Sequence, residues 1–263
     1  LFYAAITEYL GFMPHSDEWK VMALAAYGDK NSIYSKKFLK LFDTTKSGQY
    51  ELDLSMFTYY LFDKHPKFYN EKLIELLGPE RKKEDPLLKR HKDIAAALQN
   101  AFEIIVFHQL NYLYKETKAR NLCLAGGAAM NSVFNGKVLK NTKFKNLYVP
   151  PYPDDTGVSL GAAIYEYSNK KNFKRVTIKH NYLGPSYEEK EIDKLIKSYK
   201  LKAKKFINIE TEVAKQISKG KLIGWFQGSM EFGQRALGNR SILADPRNPK
   251  SKDMLNLAVK YRE

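Results

Sequence analysis

The sequence predicts an α/β fold, and three observations carry that prediction. "NLCLAGGAAMNSVFNGKVL" (121–139) is a short apolar run, a double glycine and a helical pattern. "NLYVPPYPDDTGVSLGAAIYEY" (146–167) repeats the order of strand, loop and helix. Such units in succession place ligand groups at the carboxyl ends of strands. The third observation is "KLIGWFQG" (221–228), a further strand that runs into a segment of glycines and arginines.

Taken in order, residues 1–27 read as helix, turn and helix, with apolar residues at helical spacing in "WKVMALAAYG" and Gly28 as the C-terminal cap. Residues 31–86 are mixed: "KSGQY" is a turn before the alternating "YELDLSMFTYYLF", which predicts a hairpin or a small insertion. A long amphipathic helix over 91–119 follows, with Ile94, Leu98, Ala101, Ile104, Ile105 and His108 three and four residues apart along one face. After the two strand–loop–helix units, the composition of 171–190 turns basic and polar around a Gly-Pro turn, which marks a linker. "EEKEIDKLIKSYKL" and "INIETEVAKQISKG" then read as helices before the third strand. The expected organisation is a first domain over 1–170 with 31–86 as an unplaced insertion, a linker at 171–190, and a second domain over 191–263. The chain opens in a helical pattern without methionine and ends in another, "LNLAVKYRE", so it is expected to be part of a longer protein.

Composition narrows the function classes. The 44 Lys and Arg against 29 Asp and Glu give a charge of +15, which permits anionic partners. The lysines are scattered through stretches such as "KSYKLKAKKF" and make no basic motif regularly interleaved with aromatics, a pattern of solvated faces rather than of a nucleic-acid groove. No apolar run approaches the roughly 20 residues that cross a bilayer. Cys123 is the single cysteine, which excludes an internal disulfide and a cysteine zinc cluster, and a reducing cytoplasm is the expected compartment. The five histidines, His15, His65, His91, His108 and His180, show no i, i+4 pair, and His108 is expected to pack against a local partner.

Three segments bear chemistry. Gly126 and Gly127 stand between strand and helix, where missing side chains let backbone N–H groups face a phosphate, with Asn131 as a further donor; a tight turn needing positive φ is the alternative. Asp154 and Asp155 meet at a loop–helix junction. Asp154 reads as a helix cap, and Asp155 as the better candidate for a metal or nucleotide ligand. "GWFQGSMEFGQRALGNRSILADPR" (224–247) sets Arg235, Arg240 and Arg247 among glycines, and guanidinium forks match phosphate oxygens bidentately. Glu231 is placed to hold one of these arginines. The alternative is an internal ion-pair network with Glu231, Asp245 and Glu263 as its acids.

Read together, "WKVMALAAYG", "CLAGGAAMNSVFNGKV", "YVPPYPDDTGVSLGAA", "YLGPSY" and the arginine segment closely resemble, in order, the O-carbamoyltransferases of the nodulation and antibiotic-tailoring type. The likeness implies the second half of an actin-like ATPase fold followed by the beginning of an α+β, YrdC-like carbamoyl-adenylate-forming domain. It implies a reaction in which ATP and carbamoyl phosphate give carbamoyl-adenylate with release of pyrophosphate. The carbamoyl group then passes to a hydroxyl, often on a sugar, with help from a divalent metal such as iron. Carried over by position, Arg235 and Lys260 are the catalytic candidates that hold carbamoyl phosphate. Gly126, Gly127, Asn131, Arg240 and Arg262 are the cofactor-binding candidates for ATP, and Asp155 is the metal candidate.

The sequence departs from that pattern in places. Ala23 stands where glycine is expected and Gln234 where proline is usual, and neither a His-x-x-x-His pair nor the first phosphate loop is found, so the remaining metal ligands are expected elsewhere. Two other readings stay open: a tRNA threonylcarbamoyl-transfer-like protein, and a nucleotide-binding module without catalysis.

Overall fold

Helical spacing at the start of the chain becomes α1 (Phe2–Tyr9) and α2 (Glu18–Leu24), the latter running into a 3-10 turn at Ala25–Tyr27. The structure is a computed structural model that describes residues 1–175 and 177–260, leaving aside the side chains of 62 and 63. The chain divides into two units, Leu1–Val149 and Pro150–Glu263.

In the first unit α3 (Ile33–Phe38) precedes a small antiparallel hairpin of β1 (Phe42–Thr44) and β2 (Tyr50–Leu52), turned by Gly48 at φ +76°. The expected hairpin is therefore present, whereas α3 and the short α4 (Glu71–Leu77) were not foreseen in 31–86. The long helix is α5 (Lys89–Thr117), within two residues of its expected ends. Its Ile94, Leu98, Ala101 and Ile105 join Ile6, Tyr9, Val21, Phe38, Phe57 and Leu73 in the main core. Ile104, placed on the same face by spacing, is exposed. A helix this long outruns its apolar partners, and burial follows the partners, not the period.

Farther along come β3 (Asn121–Cys123), a 3-10 turn at Gly127–Met130, α6 (Ser132–Asn135), α7 (Val138–Asn141) and β4 (Asn146–Tyr148). β3 and β4 pair in parallel, Leu122 opposite Leu147, as strand–loop–helix order requires. Leu110, Leu122, Phe134, Val138 and Phe144 close a second, smaller core beneath this pair.

Gly28 follows the helical turn as expected, but not as a left-handed cap: its φ of −101° and ψ of 165° are extended. The need for glycine is steric. A Cβ there would come within 2.0 Å of the Lys92 carbonyl oxygen of α5, so any side chain would push the helix away.

The second unit holds α8 (Val158–Ser168), α9 (Glu189–Ser198), α10 (Ile209–Ser218), β5 (Ile223–Phe226), β6 (Arg240–Leu243) and α11 (Ser251–Leu255), which continues as a wider turn over Asn256–Lys260. β5 and β6 are antiparallel, with Trp225 opposite Ser241 and Phe226 opposite Arg240. The α/β expectation holds in coarse form: the fold is mixed and mostly helical, and its described strands make three separate two-stranded sheets. Among the described residues no helix is long and apolar enough to cross a membrane.

Candidate functional site

The arginine segment folds around one buried carboxylate. Glu231 is 3% exposed and sits in the loop between β5 and β6. Its Oε1 accepts the backbone N–H groups of Leu237 at 2.7 Å, Asn239 at 2.9 Å and Arg240 at 3.3 Å, and its Oε2 accepts Arg240 Nε at 2.9 Å. Arg240 Nη2 also donates to the Gly233 carbonyl at 2.6 Å. The chain can turn back this sharply because Gly233 and Gly238 both take φ of +117°, a region side chains disfavour. A Cβ on Gly233 would also lie 2.8 Å from the Pro151 carbonyl oxygen.

The stretch expected as a linker supports the loop from outside. Gly184 N–H donates to the Met230 carbonyl, Met230 N–H to that of Pro185, and Phe232 N–H to that of Asn181, at 2.9, 2.9 and 2.7 Å. The Tyr182 hydroxyl reaches the Leu237 carbonyl at 3.2 Å, and the Phe232 ring meets Tyr152 edge-on at 4.8 Å.

Burial pushes the Glu231 carboxyl up, but the N–H groups of Leu237, Asn239 and Glu231 itself and the Arg240 guanidinium outweigh it and hold the carboxyl at about 2. A folded-state value below the ordinary 4.5 means that this carboxylate stabilises the loop at pH above the unfolded value and that the contribution is lost as pH falls toward 2. Thermal melting between about pH 6 and 2 is therefore expected to show an acid-dependent loss of stability that Glu231→Gln flattens. Equal acid slopes for the two proteins would remove Glu231 from that role.

Of the segment's arginines, Arg240 is the one Glu231 holds, and Arg247 is clamped by Asp245, with Nε and Nη2 at 2.9 and 2.7 Å. The Asp245 carboxyl is drawn down to about 2 by that arginine. The internal ion-pair network is thus real for these two guanidinium groups. Arg235 stands apart: it is exposed, and among the described residues it forms no ion pair. Lys260 is exposed at the end of the turn after α11, and among the described residues no ion pair joins it to the Arg235 loop. Arg262 and Glu263 lie outside the described residues.

In the first unit the double glycine is exposed between β3 and the 3-10 turn, with Gly126 at φ +92°, and a Cβ on either glycine would meet nothing within 4 Å. Gly126 thus takes the positive φ of a tight turn, and the outer side of that turn is open. Asn131 is engaged internally. Its Oδ1 caps α6 through Phe134 N–H at 3.0 Å, and its amide pairs with that of Gln99, Nδ2 to Oε1 at 2.9 Å and Oδ1 from Nε2 at 3.2 Å. Sequence reading missed Gln99, because a polar residue 32 positions away on a helix carries no local sign of its partner.

In the second unit Asp154 is the cap it was expected to be, accepting from Thr156 N–H at 3.3 Å and from Thr156 Oγ1 at 2.6 Å. Asp155 is exposed at the start of the 3-10 turn Asp155–Gly157 that leads into α8. Among the described residues no three His, Cys, Asp or Glu side chains gather into a metal-holding group, so Asp155 by itself does not make a metal centre. His108 packs as expected, its Nε2 2.8 Å from the Thr45 carbonyl oxygen.

Comparison with known proteins brings in the relatives. The family model described as "Carbamoyltransferase N-terminus" matches residues 1–164, and the one described as "Carbamoyltransferase C-terminus" matches residues 214–263. The chain is 38% identical to the nodulation protein NolO of Bradyrhizobium diazoefficiens, over all of this chain and 46% of that protein. It is 36% identical to the nodulation protein NolNO of Sinorhizobium fredii, over all of this chain and 37% of that one. An uncharacterised protein of Synechocystis is 38% identical over all of this chain and 44% of its own length. The chain thus spans less than half the length of each of these relatives.

Proposed function

The chain belongs to the carbamoyltransferase family, and on that premise we propose that the whole protein is an ATP-dependent O-carbamoyltransferase. It converts carbamoyl phosphate to carbamoyl-adenylate and transfers the carbamoyl group to a hydroxyl of a sugar or natural product. In balance, one water and one carbamoyl phosphate yield carbamate and phosphate. The carbamate oxygen attacks the α-phosphorus of ATP and expels pyrophosphate, and the acceptor hydroxyl then displaces AMP from the carbamoyl carbon.

The observation that carries this reading is the loop closed on Glu231, which leaves Arg235 exposed and, among the described residues, without an ion-pair partner, while Arg240 is held by Glu231 and Arg247 by Asp245. A dianionic phosphate calls for cationic donors free to meet it, and a bidentate guanidinium on a braced loop is such a donor. Lys260 is the second cationic donor of the proposal. Arg240 then acts through the loop's shape more than by reaching ATP itself. Gly126 and Gly127 offer exposed backbone to the nucleotide. A divalent metal, iron by resemblance, enters the proposal only through Asp155, and among the described residues no group of three His, Cys, Asp or Glu side chains completes such a site.

The test is pyrophosphate release by the full-length protein with ATP, with and without carbamoyl phosphate. Release that requires carbamoyl phosphate is the expected result, and release indifferent to it overturns the proposal. Transfer of threonylcarbamoyl to tRNA by the same protein would replace it with the tRNA reading that the +15 charge permits.

A further inference from the structure

A cluster of half-buried polar side chains around the buried Gln99 ties α5 to the segment just after the double glycine. From it we infer that Gln99 is a positioning residue for nucleotide binding at the Gly126–Gly127 turn. The inference rests on the nucleotide reading proposed above.

Gln99 is 5% exposed on α5, between the core residues Leu98 and Ala101. Each polar atom of its amide carries two hydrogen bonds. Oε1 accepts from the Tyr3 hydroxyl at 3.1 Å and from Asn131 Nδ2 at 2.9 Å, while Nε2 donates to Asn131 Oδ1 at 3.2 Å and to Glu103 Oε1 at 2.9 Å. That uses the full capacity of a primary amide, two donors and two acceptor sites. Glu103 is in turn held by Lys137 Nζ at 2.5 Å. Side chains from α1, α5 and the residue before α6 thus meet on one glutamine, and Lys137 before α7 joins them through Glu103.

Replacing a buried polar network by apolar residues of similar volume is often neutral for stability, so stability alone does not ask for the network. What a fully satisfied amide pair adds is a single geometry. Asn131 ends the 3-10 turn that begins at Gly127, and its Oδ1 also starts α6. Fixing Asn131 from α5 therefore fixes where the turn ends, and Asn135 Nδ2 braces the same turn at the Ala129 carbonyl, 2.7 Å away. On the other side a Cβ on Gly126 or Gly127 would meet nothing within 4 Å. Backbone N–H groups recognise a phosphate only when their directions are set in advance, and here that direction is set through Asn131 by Gln99.

The test uses the full-length protein and three variants. Gln99→Leu keeps the volume and removes all four hydrogen bonds. It is expected to raise the KM for ATP by about 10- to 100-fold, the range for losing a group that orients a binding residue. The KM for carbamoyl phosphate should stay within about twofold. Gln99→Glu, ionised beside Glu103 and Lys137 and facing Tyr3, loses its donor to Asn131 at neutral pH. Its KM for ATP should recover toward the wild-type value as pH falls and the carboxyl protonates.

Titration calorimetry with ATP separates the failures. Wild-type protein that does not bind ATP overturns the nucleotide reading and this inference with it. Wild-type binding matched by Gln99→Leu overturns the inference alone, as does an equal rise in both KM values, which marks a general structural role. If Gln99→Leu does not fold, Tyr3→Phe removes one hydrogen bond of the amide and carries the same expectation in smaller measure, so an unchanged KM for ATP there also overturns the inference.

Discussion

Replacing Arg235 with alanine in the full-length protein is expected to lower carbamoyl phosphate-dependent pyrophosphate formation by about 10²- to 10³-fold, the usual loss on removing one donor to a developing anion. The melting temperature should stay where it was. Arg235 is exposed and forms no ion pair among the described residues, whereas the loop is held by Glu231, Arg240 and the backbone pairs of 181–185 with 230–232. Lysine at this position should recover only part of the rate, because a single ammonium replaces a planar fork of donors. Arg240→Ala offers the contrast. It strips the buried Glu231 carboxylate of its guanidinium and should lower both activity and melting temperature. The expectation fails if Arg235→Ala retains full activity, or if it melts as low as Arg240→Ala.

The largest effect on stability is expected from Phe134→Ala, at about 3–5 kcal/mol. Phe134 is 2% exposed on α6 and meets the rings of Phe102 and Phe107 of α5 at 5.4 and 5.0 Å. Those two contacts join the segment after the double glycine to the long helix. With few residues in this second core, the walls have little to collapse with, and most of the cavity should remain. For a unit of this size the loss corresponds to a fall in melting temperature of roughly 6–20 °C. Urea denaturation measures it directly, and a change below about 1 kcal/mol would show that the smaller core is not a stabilising element. Phe134→Leu, which keeps most of the apolar volume, should fall well short of the alanine effect.

Some of this was legible without coordinates. The 3.6-residue period marked α5 almost to its ends, because over 29 residues a repeated apolar face outweighs any single exception. The parallel β3–β4 pair followed from two apolar runs, each leading into a loop and a helix. Asp154 as a cap followed from its side chain's reach to the N–H two residues on. β6 was hidden, since "RSIL" is four residues long and begins with a charged side chain. α3 and α4 span less than two turns, too few for a period to declare itself.

The sequence by itself determined the family, the long helix, the two strand–loop–helix units and the set of charged and glycine residues from which a site can be made, because these depend on residue identity and on spacing along the chain. It left open which arginine Glu231 would hold, Arg235 four positions away or Arg240 nine away. The left-handed turns at Gly233 and Gly238 decided for Arg240 by folding the chain back onto the carboxylate. It left open too that Asn131 faces Gln99, and it set Ile104 on the apolar face where the structure exposes it, since both depend on what α5 packs against. Hydrogen bonding and burial are properties of neighbours in space, and only the tertiary structure chooses those neighbours.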